Sequence, residues 1–250
     1  MNKKLKKIFK KCGFLYAVRT YYFFYNHYIK IRTLLLFLIF KIRLKKGSLV
    51  HLLLKECWNN FKIDPYPIDR RMNIIAEKKI YGMSTENVRF MVNELVRRFA
   101  GNGVYLEIGT FQGGSLLSAA LYNPGTRCIG FDNFSEFDSE GINENILYKN
   151  LSEFNFLKNI EFYKKDYKKG LNEFFNENPG LKIDVFFYDG PHTFEDHFQG
   201  LKQIIPYLNE KCIIIIDDTN YPQVERASDA FLRSEPEFDS VFRLKTKHVG

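Results

Sequence analysis

Two short segments in the second half of the chain carry four aspartates, three of them at the segment ends, and a histidine. They are Ile183-Asp-Val-Phe-Phe-Tyr-Asp-Gly-Pro-His192 and Ile213-Ile-Ile-Ile-Asp-Asp-Thr-Asn220. Each is an apolar run that ends in carboxylates. If neighbouring strands bring Asp189, Asp217 and Asp218 together, the three charges repel and raise one another's pKa. A hard divalent cation such as Mg²⁺ resolves this, because it takes carboxylate oxygens and keeps several waters. The plainer alternative is a turn at Asp189 and a cap from Asp217 or Asp218. His192 lies three residues beyond Asp189. An imidazole there could take a proton from a substrate hydroxyl near neutral pH. His192 and Asp189 are therefore the catalytic candidates; His197, one helical turn onward, ranks below them.

A second constellation lies upstream, in Val104-Tyr-Leu-Glu-Ile-Gly-Thr-Phe-Gln-Gly-Gly-Ser115. An apolar strand runs into an acid, a glycine turn and the small residues that open a helix. Glycines at 109, 113 and 114 allow backbone to approach a ligand closely. The spacing is G-x-x-x-G-G, and Phe111 stands where a dinucleotide fingerprint has its second glycine, the one that admits a pyrophosphate. This disfavours NAD, whereas S-adenosylmethionine, which has no phosphate, makes no such demand. Glu107 could receive that ligand's ammonium group. Asp132 follows Gly109 by 23 residues, the place for an acid that accepts both ribose hydroxyls. Asp166, after the next strand, could accept from an adenine amine or be a surface turn acid. The candidate cofactor contacts are Glu107, Gly109, Thr110, Gly113, Ser115, Asp132 and Asp166.

The elements that must position these residues alternate. Strands are expected at 104–108, 127–131, 160–164, 183–188, 213–216 and near 240–246. Helices are expected at about 114–121, 142–157, 170–177, 194–208 and 223–232. Val88, Met91, Val92, Leu95, Val96 and Phe99 follow helical spacing, after a possible cap at Ser84 or Thr85 and before Gly101-Asn-Gly103. Continuous apolar runs suit strands covered on both faces. The expected fold is α/β, a doubly wound, Rossmann-like, mostly parallel sheet with helices on both faces. A basic helical arm precedes it. The boundaries read as 1–60 for the arm, 61–100 for a helical lead-in or lid, and 101–250 for the ligand-binding domain.

Charge separates the arm from the body. Residues 1–55 hold 14 Lys or Arg and no acid, while the remainder is mildly acidic at −6. The run Leu34-Leu-Leu-Phe-Leu-Ile-Phe40 is bracketed by cations. It is far shorter than the roughly 20 residues of a spanning helix. Residues 1–46 fit a helix lying in an anionic membrane surface, ahead of docking on the chain's own domain or a partner, with nucleic acid third. No signal peptide is evident. The expected location is cytoplasmic, at the inner face of the membrane. Cys12, Cys57, Cys128 and Cys212 are far apart and read as inert thiols.

From about Tyr81 to Ala230 the chain resembles a class I S-adenosylmethionine-dependent methyltransferase. The resemblance is to a bacterial group with G-M-[ST]-x-x-x-x-R, Y-L-E-I-G-x-x-x-G, D-N-[FW]-S-x-F, F-Y-D-G-P-H and D-D-x-N motifs. Here these are Gly82-Met-Ser84 with Arg89, Tyr105–Gly113, Asp132–Phe137, Phe187–His192 and Asp217–Asn220. It implies cofactor contacts at Glu107, Gly109 and Asp132. The more distant catechol and macrolide-sugar O-methyltransferases place metal-binding acids at Asp189, Asp217 and Asp218. The implied chemistry is attack of a metal-bound hydroxyl of a sugar, glycan or other small acceptor on a sulfonium methyl. Two positions depart: Pro191 stands where the macrolide-sugar enzymes have an acid, and His192 where the catechol group has a lysine base. The general base stays open. So does the sheet's far edge, where the sequence leaves room for one strand instead of a hairpin; a short sheet, truncation or a partner would each account for this. A homo-oligomer is also open. Competing readings are an RNA methyltransferase that uses the basic arm and a binding module without turnover.

Overall fold

The computed structural model describes residues 73–80, 82–84, 86–138, 140–240 and 243. The arm at 1–60, the lead-in up to residue 72 and, apart from Ser240 and Arg243, the strand expected near 240–246 lie outside them.

Five parallel strands form the sheet: β1 (Val104–Ile108), β2 (Arg127–Asp132), β3 (Ile160–Lys164), β4 (Ile183–Tyr188) and β5 (Leu208–Ile216). Their order is β3-β2-β1-β4-β5, so the order reverses between β1 and β4. Helices α1 (Asn73–Glu77) and α2 (Glu86–Leu95) precede the sheet. Helices α3 (Gly114–Ala120), α4 (Ile142–Glu153), α5 (Tyr167–Glu177) and α6 (Phe194–Ile204) are the crossovers, and α7 (Pro222–Ser234) follows β5.

Side-chain alternation along the strands divides the core in two. Leu106, Ile108, Phe186 and Tyr188 pack with Leu171 and Phe174 of α5, Leu201 of α6 and Phe231 of α7. Tyr105, Cys128, Val185 and Phe187 pack with Val92 of α2 and Leu116 and Ala119 of α3. The amphipathic pattern of α2 is thus spent on the second face. The helix passes through a π-turn at Val96–Ala100 and stops at Gly101, φ +56°. Ser84 accepts from Arg89 Nε at 3.1 Å.

Several boundaries differ from the sequence reading for local reasons. Helix α5 starts three residues early because Asp166 caps it, accepting from the Lys168 N–H. Helix α6 gives way at Ile205 to a 3₁₀ turn containing Pro206. Strand β5 runs back to Leu208 across a register shift opposite Ile183–Val185. Its isoleucines 213–216 are half-buried, not fully covered. Cys128 is buried and Cys212 half-buried, both as free thiols. Among the described residues no helix is long and apolar enough to cross a membrane.

Candidate active site

Strand register assembles the site. Ile108 is level with Phe131 of β2 and Tyr188 of β4, and Tyr188 is level with Ile216 of β5. Gly109, Asp189 and Asp217, the first residues past β1, β4 and β5, and Asp132, the last of β2, therefore emerge side by side. Backbone bonds lock them: Gly109 N–H to Phe131 O and Asp189 N–H to Ile108 O, each 2.9 Å, and Asp217 N–H to Tyr188 O, 3.1 Å. At Gly109 φ is +87°, and a Cβ would fall 1.8 Å from the Asp189 carbonyl oxygen. The glycine is thus required by the neighbouring strand as well as by the turn.

Asp132 ties the turn to β2. Its Oδ2 accepts the Phe111 N–H and its Oδ1 the Phe134 N–H, each at 2.7 Å. Burial pushes its pKa up, opposed by these two donors. Phe111 and Phe134 sit at φ +48° and +54°, a costly conformation for bulky side chains that surrounding contacts must enforce. Nothing in the sequence marked either strain.

A pocket opens at the carboxyl edge, lined by Gly109, Phe111, Asp132, Asp166, Asp189 and His192 among others. Asp166 reaches it while capping α5 and accepting from Asn133 Nδ2 at 3.3 Å. Glu107, Thr110, Gly113 and Ser115 do not line it. Alternation turns Glu107 toward the α3 face, where it is fully buried and accepts from the Tyr105 hydroxyl at 2.6 Å. Burial raises its pKa to about 7, opposed chiefly by the hydrogen bond from Tyr105. Met83 and Phe137, motif positions to which the sequence gives no place in the site, are two exposed apolar side chains on the pocket's rim.

The acids from β4 and β5 meet as expected, with one change of partners. Asp189, His192 and Asp218 offer ligand atoms within 4.8 Å of one another. Asp217 is outside that group, and its Oδ1 accepts the Asp218 N–H at 2.8 Å. His192 Nε2 lies 2.5 Å from Asp218 Oδ2. The nearness of the Asp218 carboxylate raises the His192 pKa against the opposing effect of burial. Burial, then the Asp217 and Asp218 charges, hold the Asp189 carboxyl well above its ordinary range. Burial also raises Asp217, opposed by the Asp218 N–H. A half-buried carboxylate pair with an imidazole suits a divalent cation. The buried Asp218 Oδ1, which has no hydrogen-bond partner, is an oxygen such an ion would satisfy. His197 is fully buried, and burial, then His192, lower its pKa to about 4.

Residues 106–219 match the family described as "Methyltransferase domain". Over these residues the chain is similar to a methyltransferase domain. The match spans β1 through the Asp217-Asp218 pair, and so includes both constellations. Solved structures share the domain's fold at low identity. TomG, an O-methyltransferase from Streptomyces achromogenes solved with SAM, aligns at TM-score 0.52 and 15% identity, over 68% of this chain and 79% of its own. The O-methyltransferase from Bacillus cereus, solved with SAH, aligns at 0.51 and 17%, over 68% and 80%. CalS11, a calicheamicin methyltransferase, aligns at 0.50 and 19%, over 72% and 82%. Among curated proteins none matches this chain.

Proposed function

We propose that this methyltransferase transfers the methyl of S-adenosylmethionine to a hydroxyl of a sugar, glycan or other small acceptor with the help of a divalent cation. The observation that carries the reading is the convergence of Gly109, Asp132, Asp189 and His192 on one pocket at the reversal of strand order, where open α/β sheets bind ligands. The cofactor supplies an electrophilic methyl group on a sulfonium.

The chain's residues take distinct parts. Gly109 gives the cofactor close backbone approach, and Gly113, Thr110 and Ser115 shape the turn beneath it. Asp132 accepts the ribose hydroxyls on its remaining lone pairs. Asp166 accepts from the adenine amine. Glu107, buried behind the turn, receives the cofactor's ammonium end through hydrogen bonds or water. Asp189 and Asp218 hold the cation, and Asp217 fixes Asp218 by taking its N–H. When bound, such an ion lowers the pKa of a coordinated hydroxyl and orients it. His192 takes the acceptor's proton at Nδ1, while Asp218 holds Nε2 and stabilises the imidazolium, the logic of any carboxylate-oriented histidine base. The basic segment 1–46 brings the enzyme to an anionic membrane surface on the cytoplasmic side.

The test is methyl transfer from radiolabelled S-adenosylmethionine to a panel of nucleotide sugars and lipid-linked glycans, with Mg²⁺, Mn²⁺ or EDTA. Transfer to a hydroxyl that EDTA abolishes is expected. Transfer confined to RNA, or unaffected by EDTA, would overturn the reading.

A further inference from the structure

His197 is a buried ring that the mechanism above leaves unused. It lies on α6, which packs so tightly on β4 that a Cβ at Gly200 would fall 2.2 Å from the Tyr188 ring. Its imidazole is 4.6 Å, centroid to centroid, from that same ring and 6.2 Å from the ring of His192. It is fully buried, yet neither Nδ1 nor Nε2 has a hydrogen-bond partner among the described residues. His192 Nε2 is likewise buried and without a hydrogen-bond partner among the described residues, although it lies 2.5 Å from Asp218 Oδ2 as an ion-pair contact.

A packing role does not account for this. Phe would fill the same space against Tyr188 without orphaned nitrogens, each of which costs about 1–3 kcal/mol when buried unpaired. Buried polar side chains are almost always satisfied, by protein or by ordered water. A direct bond between the two imidazoles is ruled out. Ring nitrogens lie about 1.2 Å from their centroids, so the closest approach at this separation is roughly 3.8 Å, beyond hydrogen-bond range. A single water spans such a gap, given two to four polar partners.

We propose that His197 is a positioning residue that, through one buried water, reaches the His192 ring and fixes its orientation. The inference rests on the reading of His192 as the proton acceptor. Its test, however, needs neither methyl transfer nor an acceptor, so the two can fail separately.

Long-range ¹H–¹⁵N spectra of the full-length protein report the tautomer of His192. Wild type should show His192 protonated at Nε2 and unprotonated at Nδ1, with a water cross-peak to the His197 ring. His197→Phe should keep the melting temperature and lose the separation between the two His192 nitrogens. His197→Gln, which can still bind the water, should restore it. A folded His197→Phe protein with the wild-type His192 pattern overturns the proposal. So does a folded His197→Gln protein that fails to restore the pattern. Should the Phe variant not fold, the wild-type spectrum decides alone: no water at His197 sinks the idea.

Discussion

Phe111 donates its backbone N–H to Asp132 Oδ2 at 2.7 Å, which fastens the turn after β1 to the end of β2. The carboxylate proposed to read the ribose also holds the loop against which the cofactor rests. Recognition and loop geometry therefore share one side chain. This explains how a phenylalanine at φ +48° is tolerated in a ligand-binding turn.

Gly109→Ala should destabilise the protein by about 2–4 kcal/mol, the range of large, mechanism-specific losses. The added methyl meets the Asp189 carbonyl oxygen at 1.8 Å and must also adopt φ +87°. Urea melts of the two proteins measure the loss. A change within experimental scatter would contradict the close β1–β4 contact.

Glu107 titrates at about 7 in the fold against an ordinary 4.5. The native state thus holds a proton that the unfolded chain releases. Its contribution is fully present below about pH 4.5 and falls by roughly 3 kcal/mol as pH rises through about 7. Glu107→Gln, which can still accept from Tyr105, should flatten that slope. Denaturant melts across the window check it.

His197 gives the opposite slope. Its pKa of about 4 in the fold lies below the ordinary 6.5, so the unfolded chain takes up the proton first. That stability is present above about pH 6.5 and is lost as pH falls toward 4, again by roughly 3 kcal/mol. His197→Phe should remove this acid sensitivity in the same melts.

Asp189→Asn combined with Asp218→Asn should abolish Mn²⁺ binding, read by electron paramagnetic resonance. S-adenosylhomocysteine affinity should stay within about threefold, because cation and cofactor are held by different residues. Retained Mn²⁺ binding would move the ion elsewhere.

Much of this was legible in the sequence because strand ends are punctuated. Ile108 before Gly109, Tyr188 before Asp189 and Ile216 before Asp217 each mark where an apolar run meets a turn, and parallel register does the rest. What stayed hidden depends on side-chain direction. Glu107 is one residue from Gly109's neighbour Ile108, yet alternation turns it to the α3 face and off the pocket wall. Asp217 and Asp218 are adjacent in sequence but differ in role, since only Asp218, at φ +55°, turns toward His192. Phe137 on the rim closes the D-N-[FW]-S-x-F motif, but nothing in the sequence turns it toward the pocket. Its placement is set by distant bonds such as Asn143 Nδ2 to Phe137 O at 2.6 Å.

Calorimetric titration of wild type and Asp132→Ala with S-adenosylhomocysteine tests the central claim most directly. Micromolar binding by wild type, weakened about 100-fold by the substitution as two hydrogen bonds to a charged group are lost, is the predicted result. Equal affinity in both proteins, or no binding by folded wild type, would contradict it.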